Sequence, residues 1–156
     1  VPPDRRGRIH AQDSASLVAF GTKVREAFDE NLSAGKSCRL GNGKHWFDTG
    51  LTDESRNTFA EFEIVPGESF LEIDLKKKKK INALLVREKI STHGQRVAAF
   101  KVEIQKGKKW REIARSTTIG ARKILTFPEV KTRKVRISIL AAKSPPLIND
   151  VRLFRI

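Results

Sequence analysis

The sequence contains no methionine and a single cysteine in 156 residues. One cysteine, Cys38, excludes an internal disulfide framework and any multi-cysteine zinc site. A chain that opens on Val1 without a Met is expected to be a fragment or a processed form, so a missing signal peptide carries no weight. There is no apolar run of membrane-spanning length, and 38% hydrophobic residues are too many for a disordered tail. Catalytic signatures are missing as well. No Gly-x-Ser-x-Gly elbow accompanies the histidines His10, His45 and His93, and there is no His-Glu-x-x-His or Cys-x-x-Cys spacing. Gly41-Asn42-Gly43-Lys44 lacks the spacing of a phosphate loop and reads as a turn. Asp53 and Glu54 are adjacent, which on a strand would send them to opposite faces.

What the sequence does have is positive charge, 32 Lys plus Arg against 18 Asp plus Glu, a formal net of +14. It is unevenly spread. Residues 1–34 hold five basic and five acidic side chains, whereas residues 35–156 hold 27 and 13. That asymmetry predicts two units, 1–34 and 35–156. A basic surface concentrates polyanions, though charge alone does not choose among glycan, nucleic acid and lipid. No aromatic–basic motif of a nucleic-acid fold accompanies the charge, which ranks nucleic acid below glycan as a partner.

The period of the apolar residues changes along the chain. Asp13 reads as a helix N-cap, followed by an apolar stripe of Leu17, Phe20, Val24, Phe28 and Leu32 that ends at Asn31–Gly35. From Ser37 the period is two. Leu71, Ile73 and Leu75, then Phe100, Val102 and Ile104, then Val135, Ile137 and Ile139, and finally Val151–Ile156 alternate with polar residues. Pro66-Gly67, Lys106-Gly107, Ile119-Gly120 and Pro145-Pro146 punctuate the runs. This predicts a mainly β chain, a β-sandwich preceded by one α-helix. Lys76–Lys80 reads as an exposed connection between two strands. Trp110 reads as core. His45-Trp46-Phe47 follows a glycine-rich turn, so Trp46 is either core or an aromatic platform for a sugar ring. Arg56, Glu88, His93 and Arg96 fall near strand ends, where arginine and carboxylate can fork-bond vicinal hydroxyls.

These runs carry a resemblance. Val1-Pro2-Pro3-Asp4-Arg5-Arg6-Gly7-x-Ile9 and the helix after it resemble the segment closing the catalytic barrel of α-L-fucosidases of glycoside hydrolase family 29. Gly94-Gln95-Arg96-Val97, Trp110-Arg111-Glu112-Ile113-Ala114, Thr117-Thr118-Ile119-Gly120, Leu125-Thr126-Phe127, Lys134-Val135-Arg136 and Pro146-Leu147-Ile148 follow in order. They resemble the discoidin-like (factor V/VIII type C) domain attached to many of those enzymes. The resemblance implies an eight-stranded, galactose-binding-like jelly-roll β-sandwich. It implies a parent enzyme that hydrolyses α-L-fucosyl linkages with retention, its two carboxyl groups about 5 Å apart and upstream of Val1. This chain alone would then be inactive, with Asp4 and Arg5 bordering the fucose pocket or holding its loop. Implied partners are a fucosylated or anionic glycan and the chain's own barrel. The implied location is secreted, periplasmic or lysosomal. Leu51-Thr52-Asp53-Glu54-Ser55-Arg56-Asn57-Thr58-Phe59-Ala60 matches a loop that can hold a structural Ca²⁺ through carbonyls and an acid, here Asp53. In this chain Glu54 stands where the family has glycine and Phe59 where it has tryptophan.

Overall fold

The structure is a computed structural model that describes residues 7–41, 50–55, 57–61, 65 and 69–156. It divides into two compact units, Val1–Glu30 and Asn31–Ile156. The first unit contains the helix α1, Ala11–Ala27. Its N-cap is His10, whose Nδ1 accepts a hydrogen bond from the Gln12 N–H at 3.3 Å, and not Asp13. Asp13 lies instead in the first turn, where a carboxylate faces the positive end of the helix dipole. α1 buries no residue, and Phe20 is 66% exposed. The helix ends before Phe28, so Leu32 is not on its stripe.

Leu32 belongs to the second unit, where its N–H donates to the Leu153 carbonyl at 2.8 Å. The strands of this unit are β1 (Cys38–Leu40), β2 (Ala60–Glu61), β3 (Phe70–Glu88), β4 (Val97–Lys106), β5 (Lys109–Ser116), β6 (Lys123–Ala142) and β7 (Leu147–Phe154). A one-turn helix, α2 (Ile90–His93), follows β3. All pairings are antiparallel, seven strands among the described residues where the resemblance implied eight. Cys38 forms no disulfide and is buried in the core.

Two strands do unusual work. β3 has 19 residues and β6 has 20, several times the usual length, because each serves both layers of the sandwich. The first half of β3 pairs with β1 and with the second half of β6, which continues to β4 and β5. The second half of β3 pairs with the first half of β6 and with β7, which continues to β2. Period-two alternation then fills the interior. Leu71, Ile73, Val102, Ile104, Val135 and Ile137 from one layer meet Leu84, Val86, Val151 and Leu153 from the other. Each such side chain contributes about 1.5–3 kcal/mol through burial.

The lysine run marks the place where β3 passes between layers. Lys76–Lys80 is exposed, as expected, but lies within continuous β3 and not between two strands. Between the pairs Asp74–Lys134 and Lys79–Thr132, β3 carries residues 75–78 where β6 carries only Arg133. Lys76 takes a left-handed φ of 64° there, an unfavourable conformation for a side chain with a Cβ. Asp74 compensates locally. Its Oδ1 accepts the Lys76 N–H at 2.8 Å, and both its oxygens accept from Arg133 at 2.8 Å.

The hydrogen bonds from Arg133 hold the Asp74 carboxyl below its ordinary 3.8, against the opposing effect of burial. A depressed folded-state pKa means stability that is present above the unfolded-state value and lost as pH falls through the folded one. Below about pH 4 the protein is therefore expected to lose stability, and Asp74→Asn is expected to flatten that slope. Urea midpoints measured from about pH 5 to 2 on both proteins check it; parallel curves would exclude the Arg133 pair as the cause.

Candidate binding site

One end of the sandwich gathers the loops after β3, after β5 and before β7. Glu88 ties them together. It is 3% exposed, its Oε1 accepts the N–H groups of Arg96 and Val97 at 2.9 Å each, and its Oε2 accepts the Gly120 N–H at 2.8 Å. Its own N–H donates to the Gly120 carbonyl at 2.9 Å. Gly120 has a φ of +66°, which suits a residue without Cβ. Arg96 is bound by the same loops. Nη1 donates to the Pro145 carbonyl at 2.7 Å and pairs with Glu61 at 3.5 Å, and Nε reaches the His93 carbonyl at 3.4 Å. The His93 ring stands 5.9 Å from the Phe59 ring at a 47° tilt, and Phe59 is 46% exposed.

Beside this cluster lies a pocket of about 320 Å³ lined by Asn57, Arg87, Glu88, Lys89, Ser91 and Asn149, with Ile90 and Ala121. Amide, hydroxyl and cationic groups around a shallow concavity are suited to fork-bonding vicinal hydroxyls. Of the residues singled out from sequence, Glu88, His93 and Arg96 therefore come together. Glu88 and Arg96 spend their main hydrogen bonds on the loops themselves. Trp46 and Arg56 lie outside the described residues. Phe59, Asn57 and Arg87 were not singled out as site residues. Phe59 carried one signal, as the aromatic occupying the family's tryptophan position.

A second concavity, about 350 Å³, lies on the outer face of the layer containing β4. Its polar groups are committed to one another. Glu103 accepts from Lys101 at 2.8 Å and from Ser138 at 2.6 Å, and Arg136 donates to Glu72. Arg136 is stacked between the rings of Phe70 and Trp110, at 4.1 and 4.0 Å. Trp110 is thus half-buried on the outer face and covers an arginine, which corrects its reading as core.

A family profile described as "NedA-like, galactose-binding domain" matches residues 50–137, more than half of the chain. The chain belongs to the galactose-binding domain family. A protein of Oryza sativa subsp. japonica named "Putative alpha-L-fucosidase 1" is 32% identical over 99% of this domain's chain, which covers 31% of that protein. The crystal structure of SpGH29 superposes with a TM-score of 0.83 at 27% identity, over 99% of this chain and 34% of that one. A Ruminococcus gnavus GH29 fucosidase in complex with fucose gives 0.75 at 23% identity over 99% and 32%, a likeness of fold alone. The galactose-binding domain chain thus spans about a third of the length of these relatives.

The loop holding Asp53 follows a single 3-10 turn, Gly50–Thr52. The Thr58 hydroxyl sits 2.9 Å from the Gly50 carbonyl and 3.1 and 3.0 Å from the two Asp53 oxygens, and Asp53 Oδ1 accepts the Ser55 N–H at 2.8 Å. Glu54 takes the left-handed conformation itself, with φ 63°. These are hard oxygen donors of the kind Ca²⁺ uses, but six to eight are needed, and among the described residues only one uncommitted carboxylate, that of Asp53, is on offer. The other nearby acids are committed to Arg152. It donates to Asp150 at 3.0 Å, pairs with Glu54 Oε1 at 3.4 Å and reaches the Glu54 carbonyl at 3.4 Å. Burial opposes the charged guanidinium, yet Asp150 and Glu54 outweigh it and raise the Arg152 pKa. The residues present suit a loop closed by an arginine better than one closed by a dication. Adding millimolar Ca²⁺ to chelator-stripped galactose-binding domain is expected to leave Tm unchanged within about 1 °C, whereas a rise of several degrees would restore a calcium site.

The same loop leaves no room at Gly50. A Cβ built there would lie 2.2 Å from Thr58 Cβ, well inside contact distance. Gly50→Ala is expected to cost about 2–3 kcal/mol, read from the urea midpoint; a loss under about 0.5 kcal/mol would mean that the loop shifts freely.

Proposed function

We propose that the chain is an accessory carbohydrate-binding-type domain of an α-L-fucosidase, orienting or stabilising that enzyme on fucosylated glycans. What carries the reading is the coincidence of a galactose-binding domain with fucosidase relatives of which it makes up a third. The pocket beside Glu88 is where such a glycan would dock, its hydroxyls facing Asn57, Arg87 and Ser91. Hydrolysis would belong to the catalytic part of the enzyme. Calorimetric titration of the chain with fucosyl and galactosyl oligosaccharides tests this. Measurable binding is expected, weakened at least about tenfold by Asn57→Ala, a change that removes one amide partner. Absence of heat with every neutral saccharide would sink glycan binding at this pocket.

A second reading, a purely structural scaffold for the enzyme, is favoured by the way Glu88 and Arg96 spend their hydrogen bonds on neighbouring loops. Deleting residues 31–156 from the parent separates the two. Normal turnover of an aryl fucoside with lost activity on polymeric glycan supports targeting, and loss of soluble enzyme supports the scaffold.

A further inference from the structure

The place where β3 crosses between layers is also rich in positive charge. A groove of about 480 Å³ is lined there by Lys78 of β3, Lys106 at the β4–β5 turn, and Lys131, Arg133 and Lys134 of β6. Gly107, with φ 61°, folds the turn back so that Lys106, Lys108 and Lys109 crowd one tip. Acids are scarce nearby. Asp74 is held by Arg133 at 2.8 Å, and Glu129 by Lys80 at 2.7 Å and Arg155 at 2.8 Å. Among the described residues, Lys78, Lys106 and Lys131 pair with no acid.

A solvated surface would spread such charges, yet here the register sets like against like. Lys106 is directly opposite Lys109, and Lys131 is opposite Lys80, whose charge Glu129 takes up at 2.7 Å. Like charges facing each other across a ladder destabilise a sheet. A polyanion lying in the groove would relieve the repulsion at the Lys106–Lys109 tip.

We infer that this groove is a binding site for an anionic polysaccharide segment, one bearing sulfate or uronate groups. It deepens the glycan-binding reading, on which it rests for the kind of polymer, by adding a charged site remote from the loop pocket. From Glu88 back to Lys80 the chain runs eight residues of β3, about 26 Å of strand. The lining contains no aromatic ring on which a base could stack, and the nearby Trp110 ring is covered by Arg136. It contains no exposed large hydrophobic side chain that would enter a lipid surface.

The test uses the whole chain with a heparin octasaccharide, an oligogalacturonate, neutral dextran and duplex DNA of matched charge, at about 0.15 M salt and at lower salt. Binding to at least one acidic saccharide is expected, with affinity falling as salt rises. The triple variant Lys78→Gln, Lys106→Gln, Lys131→Gln should weaken it about tenfold or more and reduce the log–log salt slope by roughly two. A charge-matched control, Arg122→Gln, Lys123→Gln, Lys143→Gln, should change it less than about twofold. The two acidic probes separate sulfate from carboxylate recognition. Equal loss in both triples, tighter binding to DNA than to either saccharide, or no binding to either saccharide would overturn the site. The three lysines are exposed and unpaired, so each variant should keep the parent Tm. Asn57→Ala, which tests the loop pocket, should leave acidic-saccharide binding unchanged, so the two sites fail independently.

Discussion

Replacing Glu88 by alanine is expected to lower stability by about 4 kcal/mol, and Tm by roughly 10 °C in a chain of this size. The carboxylate is buried and accepts three backbone N–H groups, those of Arg96, Val97 and Gly120. Deleting it orphans all three, and each buried donor without a partner costs about 1–3 kcal/mol. Glu88→Gln has the right shape and the wrong hydrogens. One oxygen can still receive Arg96 and Val97, but the amide NH₂ meets the Gly120 N–H donor to donor. An intermediate loss of about 2 kcal/mol is expected. Calorimetric melts of the three proteins check the order. A Glu88→Ala loss below about 1 kcal/mol would mean that the loops have another anchor.

The second large effect is expected at Glu72. Cross-strand partners place Arg39, Glu72, Arg136 and Glu103 in one row across four strands, alternating in sign. The Glu72 side chain is fully buried and paired with Arg39 at 2.5 Å and with Arg136. Phe70 and Trp110 clamp Arg136 from both faces. Glu72→Ala would leave two guanidinium groups side by side without their anion. Breaking a buried ion cluster by removing one member costs about 3–5 kcal/mol, whereas replacing every member by apolar residues costs far less. Glu72→Met with Arg39→Met and Arg136→Met is therefore expected to recover at least about 2 kcal/mol of what Glu72→Ala loses. Urea denaturation of both measures the difference. If the triple variant is the less stable, the row is worth more than its packing.

The layers of this fold could be read from alternation because inward positions repeat every second residue. Leu71 and Ile73, Val102 and Ile104, Val135 and Ile137 all face the core where the pattern puts them. Alternation does not say what sits on the other face. Glu72 and Arg136 look like surface residues along their own strands, and Trp110 like core. They become a buried charge and its covers only through pairing between residues 64 apart in the chain. The same holds for Glu88, whose three donors come from two segments downstream. Lys76–Lys80 was readable as exposed but not as part of a strand, since the bulge depends on Asp74 and Arg133 together. Their places near strand ends marked Glu88, His93 and Arg96, and only the fold brings their loops beside Asn57. The resemblance did not mark Arg152, which takes up the acids that a cation would need.

The stitch between Leu32 and Leu153 has a consequence for how this domain can be handled. Ser33 Oγ also donates to the Val151 carbonyl at 3.0 Å, so residue 32 and the final strand lie side by side. A unit whose first and last segments are neighbours occupies a single point of attachment on any host chain. It can be spliced into a surface loop, or have its ends joined and be reopened at the Gly107 tip, without stretching the fold.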